Sequence, residues 1–128
     1  MHAGHIDRGK RILIVDDDAS ITRTIQFVLT REGHQIEVAA DSNTALNLYD
    51  ARVYDLVIVD FVMPGLDGLE LARLIRTWNP AQPILLLTGN LKDMVRSGGS
   101  LDSFTKVLEK PFSGDNLRAA VTAVLRAA

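Results

Sequence analysis

Four apolar runs in this chain end on residues that can do chemistry. RILIV (11–15) runs into Asp16, Asp17 and Asp18, and LVIV (56–59) runs into Asp60. ILLL (84–87) stops on Thr88, and VLE (107–109) stops on Lys110. Carboxylates brought close together repel one another unless a cation neutralises them or one takes a proton. An oxygen-only set suits a hard cation, and Mg²⁺ in particular is held by one or two carboxylates completed by waters and phosphate oxygens. A lysine and a hydroxyl facing such a set describe a site for a phosphoryl group. The chemistry that follows is attack by a carboxylate on phosphorus, with the cation and the ammonium offsetting the repulsion between two anions. Its product is an aspartyl-phosphate.

Each residue alone has a plainer role. Asp18 can cap the helix that follows, Thr88 can close a strand, and Lys110-Pro111 can make a surface turn. Their joint meaning depends on whether the fold puts them on one edge.

The alternation of patterns says that it does. Ile21, Ile25, Val28 and Leu29 recur at helical spacing between Ser20 and Glu32, with Gly33 as the stop. QIEVA (35–39) alternates as a strand, 42–53 reads as a helix, and 55–60 is the next strand. After the turn MPGLDG, a helix over 67–78 turns Leu71, Leu74 and Ile75 inward and ends at Asn79-Pro80. Strands at 84–88 and 107–109 and a last helix capped by Ser113, with Leu117, Val121, Val124 and Leu125 as its stripe, complete the chain. Between Gly89 and Lys106 the pattern weakens, so the helix expected near 91–97 is short and loosely docked. Five strands, each followed by a helix, require parallel pairing through right-handed crossovers. The expected fold is a doubly wound α/β domain of order 2-1-3-4-5, whose ligands sit beyond the carboxyl ends of the strands at the switch between strands 1 and 3.

The whole chain is compatible with this. Its 128 residues are the size of one domain, and its net charge of −2 leaves no footprint for direct nucleic acid binding. The absence of cysteine excludes disulfides, thiolate catalysis and Cys-ligated zinc, and fits a cytoplasmic location. No run nears the roughly 20 apolar residues of a membrane span. Residues 1–9 carry His2 and His5 without a cage to make them ligands and are expected to be a flexible extension ahead of a domain over 10–128.

ILIVDDD, LVIVDFVMPGLDG, ILLLTG and EKPF, in this order and spacing, resemble the receiver domain of two-component response regulators over residues 11–127. The resemblance implies a flavodoxin-like, CheY-like domain that is a signalling module and not an enzyme. By the same resemblance Asp60 is the phosphoacceptor, Asp17 a direct ligand of Mg²⁺ (or Mn²⁺), Asp16 a more water-mediated acid, and the Val62 backbone carbonyl a further metal contact. Thr88 and Lys110 would engage the phosphoryl group, with a cis bond between Lys110 and Pro111. The implied donor is a histidine kinase or a histidine phosphotransfer protein. Output would pass to a downstream partner through the face of helix 4, strand 5 and helix 5 of a monomer or weak dimer.

Three departures stand out. Val107 occupies the switch position where the family usually has Tyr or Phe, and valine has no ring to swing. Gly89 follows the threonine in place of the usual alanine, and the weak 90–106 segment covers helix 4. Val62 and Asn90 sit where receivers tune hydrolysis. An apolar Val62 cannot orient water, which implies a long-lived phosphoryl group.

Other functions fit less well. A phosphatase of the haloacid dehalogenase type needs a second acid two residues after the nucleophile, where this chain has Val62. A flavin-binding module needs a phosphate-cradling loop after strand 1, where three aspartates would repel the phosphate. A pseudo-receiver that acts by interaction alone is the remaining alternative, kept open by Val107 and the poor helix 4.

Overall fold

The computed structural model describes residues 9–96 and 101–127. Five strands, β1 (Arg11–Val15), β2 (Gln35–Ala39), β3 (Leu56–Asp60), β4 (Ile84–Thr88) and β5 (Lys106–Glu109), form one parallel sheet of order β2-β1-β3-β4-β5. Between and after them run α1 (Ala19–Arg31), α2 (Ser42–Ala51), α3 (Gly68–Trp78), α4 (Leu91–Arg96) and α5 (Gly114–Ala127), with a 3-10 turn at Leu101–Ser103. The expected doubly wound topology is therefore the observed one.

The apolar strands show why the sheet is covered on both faces. Successive strand residues point to opposite sides. Leu13, Val15, Val57, Val59, Ile84 and Leu86 pack with Leu71, Ala72 and Ile75 of α3 and with Met94 of α4. Their neighbours Ile12, Ile14, Leu56, Ile58, Leu85 and Leu87 pack with α1 and α5, through Ile25, Leu29, Leu117 and Val121 among others. Burial of each such side chain contributes about 1.5–3 kcal/mol. Strands β3 and β4, both interior to the sheet, are buried along their whole length.

Element ends follow local chemistry. Asp18 accepts from the Ser20 and Ile21 N–H groups at the start of α1. Gly33, with φ 91°, turns the chain after the helix. Asp67 and Glu70 form a reciprocal capping box on α3, and Ser113 Oγ accepts from Asn116 N–H at the start of α5.

Three details depart from expectation. Helix α2 ends at Ala51, since Arg52 adopts an extended backbone that leads into β3. Helix α4 is short as expected, but Met94 is buried against the sheet and anchors it. Residues 1–8 of the expected extension lie outside the described residues, whereas Gly9 donates to the Gly33 carbonyl at 3.0 Å and belongs to the fold.

At the amino ends of the strands, Tyr49 stacks on both Tyr54 and Trp78, with ring centroids 6.1 Å apart in each pair. Buried Gln82 joins this corner by accepting from the Tyr49 hydroxyl and donating to the Tyr54 carbonyl.

Candidate functional site

The parallel sheet brings the ends of β1, β3, β4 and β5 to one edge. Asp16 and Asp17 follow β1, Asp60 and Thr88 are the last residues of β3 and β4, and Lys110 follows β5. Lys110 Nζ donates to Asp60 Oδ1 at 2.8 Å and to Asp16 Oδ2 at 3.3 Å. The other oxygen of Asp16 accepts from Asp18 N–H at 2.9 Å. One carboxylate oxygen from each of Asp16, Asp17 and Asp60 lies within 4.8 Å of the others, and Asp17 is the exposed member.

Asp60 and Lys110 influence each other. Burial pushes the Asp60 carboxyl above the ordinary aspartate value. The Lys110 hydrogen bond opposes this rise, and the charges of Asp16 and Asp17 add to it. For Lys110, burial alone would lower the pKa, but its hydrogen bond to Asp60 and the charges of Asp60 and Asp16 outweigh burial and raise it. The ammonium therefore stays charged across the neutral range. An all-oxygen set of three acids in reach of one another is the donor chemistry of a hard divalent cation.

Thr88 is buried, and its Oγ accepts from Asn90 N–H at 3.2 Å. Its carbonyl accepts from Lys110 N–H at 2.8 Å, which ties the ends of β4 and β5 together. The Lys110-Pro111 bond is cis, as the resemblance implied. A groove lined by Phe61, Val62, Thr88, Gly89, Asn90 and Met94 opens beside Asp60. Val62 is 71% exposed, whereas Val107 of β5, opposite Leu86 of β4, is half-buried and packs against the core cluster of Leu86 and Met94.

Residues that the sequence reading passed over hold the loop after Asp60. Phe61 N–H donates to Leu87 O, and its carbonyl accepts from Gly68 N–H at 2.8 Å. A Cβ at Gly68 would lie 2.5 Å from the Asp60 carbonyl oxygen, so only glycine lets α3 start this close to β3. Ser42, from the first turn of α2, is buried under the same loop. Its hydroxyl accepts from Leu66 N–H at 2.9 Å and donates to the Pro64 carbonyl at 3.5 Å. Gly65 and Gly68 of the turn MPGLDG were visible in the sequence. Ser42 carried no local signal, because its partners are 22 and 24 residues away.

Comparison with known proteins agrees with this geometry. The response regulator receiver domain family matches residues 12–122. The transcriptional regulatory protein TcrA of Mycobacterium tuberculosis is 36% identical over 122 residues, covering 92% of this chain and 47% of that protein. The chain spans about half the length of the curated relatives it matches. Among solved structures, the chemotaxis response regulator CheY4 of Vibrio cholerae has a TM-score of 0.83 at 30% identity, covering 91% of this chain and 98% of that one. The response regulator TrrA of Thermotoga maritima, solved with Mg²⁺-BeF, has a TM-score of 0.81 at 36% identity, covering 90% and 98% respectively. A family match over most of the residues, in a fold shared with whole solved receivers, leads to one conclusion: this chain belongs to the receiver domains of two-component response regulators.

Proposed function

We propose that this receiver, taken as residues 10–128, accepts a phosphoryl group on Asp60 from a histidine kinase or a histidine phosphotransfer protein. The observation that carries the reading is the meeting of Lys110 with Asp60 and Asp16 at an edge where Asp17 completes a three-acid cluster. Asp17, Asp60 and the Val62 carbonyl would hold Mg²⁺ or Mn²⁺. Asp16 fits a contact through water, because its two oxygens already accept from Lys110 and Asp18. When bound, the cation supplies charge neutralisation to the acidic cluster and the incoming phosphoryl oxygens.

The chain's own residues do the rest. An Asp60 carboxylate oxygen forms the new bond to phosphorus as the bond to the donor imidazole nitrogen breaks, and that nitrogen keeps the electron pair. Lys110, already on Asp60, has a second anionic oxygen to pair with once the phosphoryl group arrives. The buried Thr88 hydroxyl, at the wall of the same groove, turns its O–H toward a phosphoryl oxygen. Loss of the group is the reverse problem of admitting water, and the apolar, exposed Val62 offers that water no hydrogen bond. The donor kinase places the reaction in the cytoplasm. Output runs through α4, β5 and α5 to a partner that reads the phosphorylated state.

Intact-mass measurement after incubation with Mg²⁺ and a small phosphodonor tests this. Wild type should gain one phosphoryl group and Asp60→Asn none. A gain retained by Asp60→Asn, or none in wild type beside a competent receiver, refutes the reading; the second result favours a pseudo-receiver.

A further inference from the structure

The loop after Asp60 is closed at both ends. At its start, Phe61 is bonded to Leu87 of β4 and to Gly68 of α3. At its end, Asp67 caps α3. Between them Met63 is buried in the core, and a side chain from a different element spans the turn that follows it. Ser42 Oγ lies between the Pro64 carbonyl and the Leu66 N–H, one on each side of Gly65. Gly65 has φ 85°, and a Cβ there would fall 2.4 Å from the same Oγ. The hydroxyl and the left-handed turn therefore fit against each other, and Ser42 is only 1% exposed. Asp41 caps α2 through Thr44 N–H at 2.7 Å, which fixes the helix end that carries Ser42.

Val62 is the consequence. Its backbone lies between Phe61, held to the sheet, and Pro64, held by Ser42. We infer that Ser42 is a positioning residue for the divalent cation. By clasping the Pro64–Leu66 turn, it sets where the Val62 carbonyl points and so sets cation affinity without touching the ion. This rests on the reading of the acidic cluster as a cation site. Groups that orient a metal's ligands from outside are generally worth about 10- to 100-fold in affinity.

The test counts free Mn²⁺ by electron paramagnetic resonance during titration of the whole chain, with no phosphodonor present. Ser42→Ala should weaken Mn²⁺ binding about tenfold, and Ser42→Thr, which keeps the hydroxyl, should restore most of it. Gln82→Ala removes buried hydrogen bonds at the opposite edge of the sheet, and should lower thermal stability while leaving affinity unchanged. Equal affinity in wild type and Ser42→Ala overturns the inference. So does an equal weakening in Ser42→Ala and Gln82→Ala, which would make the effect one of general destabilisation. Wild type that binds no Mn²⁺ overturns the cation site itself, an outcome separate from the other two.

Discussion

Asp60 is a buried acid among acids, and Lys110 offsets only part of that burden. Because its pKa is raised in the folded chain, the native state binds a proton there more tightly than the unfolded state. Such a group contributes stability when protonated, and that contribution is lost as pH rises through the folded pKa. At neutral pH the ionised carboxylate is therefore a net liability in the absence of a cation. Asp60→Asn should melt higher than wild type at pH 7 in chelator, with the gap narrowing as pH falls toward the ordinary aspartate range. A lower melting temperature for Asp60→Asn at pH 7 would show that the Lys110 pair outweighs burial. Val62 carries a second expectation at this scale. Val62→Asn places a hydrogen-bonding amide on the open side of the site, and phosphate release from the loaded protein should be faster than in wild type.

At the scale of elements, strands were the most legible part of the sequence. Runs such as ILLLT must be buried on both sides, and β4 occupies the expected 84–88. Strand ends then located Asp60, Thr88 and Lys110 without any knowledge of helix packing. Helix boundaries were less legible where no Gly or Pro marks them, as at Arg52, and α4 could not be judged from composition because few residues, Met94 with Leu91 beside it, dock it. Long-range polar contacts were invisible for a physical reason. Serine at 42 is ordinary at a helix start, and only the folded chain brings it to Gly65. Gly68 gives the element-scale prediction. Alanine is worth about 1 kcal/mol more than glycine in a helix, but here its Cβ would meet backbone atoms of Asp60 and Phe61 at 2.5–2.9 Å. Overpacking of that kind costs about 1–3 kcal/mol. Gly68→Ala should therefore unfold at lower denaturant than wild type and accept phosphate more slowly.

Over the whole molecule, the sheet separates duties. Its carboxyl edge gathers charge that the fold tolerates poorly, while its two faces supply the apolar burial that holds the structure together. Any cation that binds the native cluster and not the unfolded chain must stabilise the fold by mass action, about 2.7 kcal/mol at a hundredfold excess over its dissociation constant. Thermal melts in rising Mg²⁺ should shift upward for wild type and much less for Asp17→Asn. Equal shifts in both would place the stabilising ion elsewhere.

Trp78 closes α3 at the end opposite Gly68, and it is the chain's single tryptophan. Helix α3 is a rod of 11 residues, about 16 Å long. One end abuts the Asp60 backbone, and the other presents an indole stacked on Tyr49 and 53% exposed. The protein thus contains its own optical gauge. Fluorescence from one chromophore, with no label attached, reports whether a change at the acidic edge stays local or is carried along this rod to the far side of the domain.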